Sequence, residues 1–231
     1  MSEPRRPLVF LLDVDNTLID NDRVAGDLKR YLTREVGATR QERYWAIFEC
    51  LRAELGYADY LGALQRYRVE NPRDPHLLAV SSYLVNYPFA NRLYPESLDV
   101  LEHLAAWGPT VILSDGDVVF QPRKIECSGL FDAVGGRVLI YIHKERELED
   151  VEARYPADHY VLIDDKIRIL NAAKRVWGPR LTTVFPRQGH YAHAPDVASY
   201  PPADVTVERI GELIRYDLPA LLGAAQTMEE A

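Results

Sequence analysis

The stretch LVFLLDVDNT, residues 8–17, joins five consecutive apolar residues to a closely spaced pair of aspartates. An unbroken apolar run is typical of a strand buried on both faces, whereas a strand with one face in water alternates apolar and polar residues. Strands buried in this way belong to parallel sheets that helices cover on both sides. The stretch therefore predicts a buried strand with Asp13 and Asp15 directly after its carboxyl end.

Similar β-prone runs recur along the chain, with helical periods between them. These runs are residues 110–113, 138–142, 160–163 and 181–185. Residues 167–177 have a helical pattern that ends at Gly178-Pro179, a pair typical of a helix exit. Because strands and helices alternate, we predict an α/β fold with a Rossmann-like parallel sheet core flanked by helices.

The interval between the first two predicted strands is too long for a simple crossover connection. It reads as several helices, and residues 41–55 place Tyr44, Phe48 and Leu51 on one face at helical spacing. We therefore predict that an all-helical domain, residues 20–91, is inserted into a catalytic core formed by residues 1–19 and 92–231.

The composition limits the class of function. The formal net charge of −8 gives no sequence-wide positive field that could hold a nucleic acid or an anionic membrane surface. No apolar stretch approaches the roughly 20 residues that cross a bilayer. The two cysteines, Cys50 and Cys127, form no disulfide framework or thiolate zinc motif and suit a reducing compartment. We expect a cytoplasmic protein with a small-molecule partner, and neither nucleic acid nor membrane.

Two pairs of aspartates end two of the predicted strands. Asp13 and Asp15 follow the first strand on one side of an extended chain, and Asp164 and Asp165 follow residues 160–163. The carboxyl ends of parallel strands meet at one edge of the sheet, where four convergent carboxylates would repel one another. A hard divalent cation relieves that repulsion, and oxygen ligands favour Mg²⁺ over zinc. Asp164 also suits a cap for the helix that follows.

A third strand end carries Ser114, Asp115 and Gly116 just before a predicted helix. A hydroxyl, turn amides and a helix N-terminus form an anion site suited to phosphate, although an ordinary Asp-Gly turn is an alternative interpretation. Lys144 follows residues 138–142, where its ammonium could pair with a nucleophilic carboxylate and a phosphoryl oxygen. Lys124 is a rival, but it lies within a predicted helix, so we prefer Lys144.

The order of these motifs resembles that of the haloacid dehalogenase-like superfamily, whose members share a parallel-sheet core and an aspartate nucleophile. Residues 13–17 resemble its first motif, Ser114 its second, Lys144 its third and Asp164-Asp165 its fourth. The helical insertion after the first motif is similar to the type 1 caps of the family. The resemblance covers about residues 8–187.

The resemblance implies a Mg²⁺-dependent phosphatase that acts on a small phosphorylated metabolite. Asp13 would attack phosphorus and form an aspartyl-phosphate, while Mg²⁺, Ser114 and Lys144 stabilise charge on the phosphoryl oxygens. Asp15 would protonate the departing alcohol and later deprotonate the hydrolytic water. Dehalogenases of the superfamily lack this second acid because a halide needs no proton, so Asp15 favours phosphoryl chemistry.

The resemblance also implies the cation ligands. They would be Asp13, the backbone carbonyl of Asp15, and Asp165, with Asp164 bound directly or through water. Two alternatives stay open at this point. One is a phosphotransferase or phosphomutase that uses the same aspartate, and the other is a non-catalytic Mg²⁺-binding regulatory module.

A histidine-containing segment, QGHYAH at residues 188–193, follows the last predicted strand. A metal role for His190 and His193 is disfavoured because their spacing lacks a nearby third ligand. Gly189 and His190 could nevertheless border the substrate, since they follow a strand end.

Overall fold

The sheet at the centre of the molecule contains six parallel strands. The computed structural model describes residues 6–226, so both extreme ends of the predicted core lie outside the described residues. The strands are β1 (Arg6–Leu12), β2 (Thr110–Asp115), β3 (Val138–Tyr141), β4 (Ala157–Ile163), β5 (Leu181–Pro186) and β6 (Val205–Val207). Their order is β3-β2-β1-β4-β5-β6, and every neighbouring pair is parallel. The predicted Rossmann-like parallel sheet is confirmed.

Helices surround this sheet and fill the long interval between β1 and β2. The helices of that interval are α1 (Asn21–Val36), α2 (Ala38–Leu55), α3 (Tyr60–Glu70) and α4 (Leu77–Val85). The later helices are α5 (Ser97–Ala105), α6 (Phe120–Cys127), α7 (Leu130–Ala133), α8 (Leu148–Arg154), α9 (Ile167–Trp177), α10 (Gly189–Ala192) and α11 (Leu218–Gln226). Short 3₁₀ turns lie at Phe89–Arg92, Lys144–Arg146, Gly178–Arg180, Val197–Ser199 and Ile210–Arg215. In residues 6–226, no helix combines the length and apolar character that a membrane span requires.

The two passages of the chain between the sheet and the helical insertion lie side by side. The backbone N–H of Asp20 donates to the carbonyl of Arg92 at 2.7 Å, and that of Tyr94 donates to the carbonyl of Leu18 at 2.9 Å. One apolar cluster nevertheless continues from the strands into α1, α2 and α3. The division into a core and a cap at residues 20–91 stays a prediction.

The residues of β1 alternate between two apolar layers. Phe10 and Leu12 join the cluster that contains α5 and the helical insertion, whereas Val9 and Leu11 join the cluster that contains α9. This explains why β1 reads as an unbroken apolar run. The same expectation was wrong for β3, which is only partly buried because it lies at the edge of the sheet.

Candidate active site

The carboxyl ends of three neighbouring strands bring the predicted acidic and hydroxyl residues to one edge of the sheet. Leu12 lies opposite Ile112 of β2 and Ile163 of β4, so the residues that follow these strands emerge together. The backbone N–H of Asp13 donates to the carbonyl of Ile163 at 3.0 Å. This bond fixes the start of the loop that carries the two aspartates of the first motif.

Three buried aspartates meet at this edge. Asp13, Asp164 and Asp165 each offer a carboxylate oxygen, and the three oxygens lie within 4.8 Å of one another. Within the described part of the chain, Asp13 Oδ2 and both oxygens of Asp165 are buried without a hydrogen-bond partner. Unpaired buried carboxylates are costly, and a hard cation with oxygen ligands would satisfy them. The three residues could therefore hold a divalent metal ion.

Burial changes the protonation of two members of this triad. Desolvation raises the pKa of Asp164 to about 6 even though the Lys144 ammonium acts in the opposite direction. Burial also raises the pKa of Asp165 well above its ordinary range, and the charges of Asp13 and Asp164 add to that effect. Asp164 accepts the backbone N–H of Lys166 at 2.8 Å, but Lys166 is itself the N-cap residue of α9, so this bond lies in the turn before the helix and the predicted cap by Asp164 is not formed.

Lys144 is fully buried in the turn after β3 and contacts the triad directly. Its ammonium donates to a carboxylate oxygen of Asp13, pairs with Asp164 Oδ2 at 2.8 Å and donates to the carbonyl of Leu113 at 3.0 Å. Burial lowers the pKa of Lys144, but the charges of Asp13 and Asp164 outweigh that effect and raise it overall. The ammonium thus makes two hydrogen bonds and one further ion pair within the site.

Lys124, the residue that sequence reasoning ranked second, also reaches the site. Its buried ammonium lies 2.5 Å from Asp15 Oδ1 and 3.2 Å from Asn21 Oδ1. One turn earlier on α6, the amide of Gln121 donates to Ser114 Oγ at 2.8 Å and lies 3.4 Å from Asp15 Oδ2. Sequence reasoning missed Gln121, although its spacing of three residues from Lys124 places both on one helix face.

The loop after β2 is in contact with α6 and with the turn that follows β3. Asp115 accepts the backbone N–H of Lys144 at 2.7 Å, and burial raises its pKa. A Cβ on Gly116 would lie 2.6 Å from Gln121 Cβ, so glycine allows α6 to approach this loop. Asp117 Oδ1 accepts the N–H groups that begin α6. Asp117 therefore caps the start of α6, and the phosphate-binding role of Ser114, Asp115 and Gly116 stays a prediction.

Comparison with known proteins agrees with this arrangement. The family model for haloacid dehalogenase-like hydrolases matches residues 8–177. The chain belongs to this family. A haloacid dehalogenase-like hydrolase from Burkholderia xenovorans LB400 is 66% identical, with a TM-score of 0.88 over 92% of this chain and 99% of that chain.

More distant members of the haloacid dehalogenase-like family share the fold. A hydrolase from Bacillus subtilis, solved bound to magnesium, has a TM-score of 0.59 at 15% identity over 91% of this chain and 98% of that chain. The L-2-haloacid dehalogenase from Xanthobacter autotrophicus, solved with chloropropionic acid covalently bound, has a TM-score of 0.55 at 20% identity over 90% of this chain and 96% of that chain. A search of curated proteins found no match.

A pocket of this haloacid dehalogenase-like hydrolase opens beside Asp15. Asp15 is the partly exposed acid of the first motif, with 22% of its side chain accessible, whereas Asp13 is buried behind it. The sheet edge contributes Asp15, Asp115 and Lys166 to the pocket, and the helical insertion contributes Trp45, Phe48, Glu49, Arg52, Tyr57 and Tyr60. Asp15 therefore lines a pocket with mixed aromatic and charged walls.

His190 forms part of the same pocket through a contact with α1. Its Nδ1 lies 2.5 Å from Asp22 Oδ1, and its backbone N–H donates to Asp22 Oδ2 at 2.8 Å. Asn16 of the first motif also donates to Asp22 at 3.2 Å. His193 does not line this pocket.

Sequence reasoning missed two further residues of the site. The hydroxyl of Thr17 accepts the backbone N–H of Asp165 at 3.1 Å. Lys166 lines the pocket beside Asp15.

Proposed function

We propose that this hydrolase is a Mg²⁺-dependent phosphatase that cleaves a small-molecule phosphate monoester through an aspartyl-phosphate on Asp13. The observation that carries the proposal is the position of Asp15. Its carboxylate faces the pocket two residues beyond the buried Asp13, where the leaving group of a substrate would lie. An alcohol leaving group needs a proton, and a halide does not.

Each group of the site has a distinct role in the proposed reaction. Lys144 orients Asp13 for attack on phosphorus, and Ser114 offers a hydroxyl to the phosphoryl oxygens. Asp15 donates a proton to the departing alcohol and then accepts one from the attacking water. Lys124 and Gln121 hold one carboxylate oxygen of Asp15 each.

The proposed cation would be held by Asp13, the backbone carbonyl of Asp15, and Asp165, with Asp164 direct or through water. Mg²⁺ would supply positive charge that offsets the negative charge of the phosphoryl group. The unsatisfied buried oxygens of Asp13 and Asp165 support this assignment. The helical insertion, residues 20–91, would act as the cap that selects a small phosphorylated metabolite, since it provides much of the pocket wall.

The test is a phosphate-release screen with nucleotides, sugar phosphates, phosphorylated acids and an aryl phosphate, with and without Mg²⁺. We expect Mg²⁺-dependent turnover, and a loss of at least about 10³-fold in kcat for Asp13→Asn because the nucleophile is removed. A folded wild-type protein without metal-dependent turnover on the whole panel would refute the proposal. Formation of a new phosphorylated product in place of free phosphate would indicate a phosphotransferase or mutase.

Haloacid dehalogenation is the second candidate, and its support is the fold shared with L-2-haloacid dehalogenases. It is tested in parallel by halide release from 2-chloropropionate. Halide release without phosphate release would favour dehalogenation. We expect phosphate release without halide release, because a departing halide needs no proton from the Asp15 carboxylate at the pocket.

A further inference from the structure

Lys166 immediately follows the two aspartates of the fourth motif and lines the same pocket as Asp15. Its backbone N–H is used by Asp164, but its ammonium lies over the ring of Tyr191, 5.0 Å from the ring centroid. Across residues 6–226, this ammonium forms no hydrogen bond and no ion pair. It therefore has three unused N–H donors at the mouth of the reacting centre.

The ammonium groups of the other two lysines of the site both contact acidic side chains. Lys144 donates to Asp13 and to the carbonyl of Leu113, and it forms an ion pair with Asp164. Lys124 is bound to Asp15 and to an α1 amide oxygen. Lys144 and Lys124 thus hold the two acids of the first motif. Among the described residues, the Lys166 ammonium has no such partner, so we take it to be the one of the three that is available to a ligand.

The charge around Lys166 also suits an anion-binding role. Lys166 is the residue directly after Asp165, at the sheet edge where Asp13, Asp164 and Asp165 meet. Among the described residues, the ammonium makes no ion pair with these three carboxylates, and it lines the pocket into which Asp15 is exposed.

We propose that Lys166 is a catalytic residue that binds an oxygen of the transferring phosphoryl group. This role rests on the proposed phosphatase function. In the first step the bond from Asp13 to phosphorus forms, the ester P–O bond breaks, and the departing oxygen takes a proton from Asp15. In the second step water forms the new P–O bond, gives a proton to Asp15 and releases Asp13. Lys166 keeps its protons in both steps and stabilises the charge on phosphorus oxygens.

The experiment compares Lys166→Met and Lys166→Arg with Arg175→Met, which removes a cation from an exposed position on α9, the helix that follows Lys166. Two quantities are measured in the full chain with Mg²⁺: kcat for phosphate release, and calorimetric affinity for tungstate, an inert phosphate mimic. We expect Lys166→Met to lower kcat about 100-fold and to weaken tungstate binding at least about 10-fold. Lys166→Arg should restore part of both, and Arg175→Met should change neither.

A second measurement separates a catalytic role from a structural one. Lys166→Ala should regain part of its kcat when ethylammonium is added, because a small cation can enter the space that the side chain leaves. Lys166→Met with unchanged kcat and tungstate affinity, alongside an inactive Asp13→Asn, would overturn the Lys166 role and leave the phosphatase proposal standing. A wild-type protein that releases no phosphate overturns the proposed function, and this role with it.

Discussion

The carboxylate of Asp15 is held at both of its oxygens by α6, which gives Lys124 a role in the proposed chemistry. Lys124→Met removes the ammonium that lies 2.5 Å from Asp15 Oδ1. We expect kcat to fall about 10- to 100-fold with little change in KM, because the acid loses its orientation while the rest of the pocket is intact. Steady-state kinetics on the best substrate of the screen measures this effect.

Arg123 provides a matched control one residue earlier on the same helix. Its guanidinium is 43% exposed and makes only long contacts, with Glu126 at 3.9 Å and the carbonyl of Val85 at 3.3 Å. Arg123→Met should retain wild-type kcat. Equal kinetics for Lys124→Met and Arg123→Met would show that the Asp15 contact has no role in turnover.

At the scale of single residues, the sequence predicts side chains that follow strands better than side chains on helices. Asp13 and Asp165 could be expected to meet because parallel strands end at one edge of the sheet. The positions of Gln121, Lys124 and Lys166 depend on how deeply α6 and α9 pack against that edge. Helical periodicity shows which residues share a face, but it does not show what that face contacts.

At the scale of elements, the position of α10 depends on a glycine, because the side chain of any other residue there would displace the first motif or α10 itself. Gly189 has φ +67°, and a Cβ there would lie 2.4 Å from Asn16 Cβ in the first motif. Gly189→Ala should therefore destabilise the fold by more than the roughly 1 kcal/mol that a positive φ alone costs, and should reduce kcat by displacing His190. Urea unfolding and phosphate release measure the two effects.

Gly129 provides a control for Gly189→Ala, because alanine there introduces backbone strain without a steric clash. It has φ +85°, and no atom lies within 4 Å of the position that a Cβ would take. Gly129→Ala should cost only about 1 kcal/mol and leave kcat unchanged. If the two alanine variants lose equal stability, the close approach of α10 to the first motif is not a constraint.

Sequence patterns identified five strands and the helical character of the interval between β1 and β2, because buried strands and amphipathic helices have distinct periods. They missed β6, whose three residues are too few to show a period. They also extended β3 to Ile142, which lies beyond the strand and is 60% exposed. The same apolar residues occur in edge strands and in central strands, so the sequence pattern does not show which strand lies at the edge of the sheet.

At the scale of the whole molecule, the acidic triad makes the free energy of unfolding depend on metal binding and on pH. Burial raises the folded-state pKa of Asp164 from 3.8 to about 6, and that of Asp165 also lies well above 3.8. The metal-free folded state thus holds protons that the unfolded chain has released, so Asp164 destabilises it increasingly as pH rises from about 4 to about 6, and Asp165 acts in the same direction. A bound cation replaces those protons.

We therefore expect Mg²⁺ to raise Tm more at pH 8 than at pH 5. At about 100 times its Kd, a ligand adds about 2.7 kcal/mol, which corresponds to several degrees for a chain of this size. Thermal unfolding with and without Mg²⁺ at both pH values measures the difference. Asp165→Asn should abolish most of the Mg²⁺ effect, and an effect of equal size in this variant would place the cation elsewhere.

The central place of β1 in the sheet determines when the site can form. Phe10 lies opposite Thr110 and Val161, so the first strand pairs with segments about 100 and about 150 residues further along the chain. During synthesis, residues 8–12 leave the ribosome well before either neighbour exists, and closing such long loops costs entropy before any contact repays it. The apolar strand that anchors the nucleophile is thus exposed longest. Asp13 meets Asp164 only after more than half of the chain has been made.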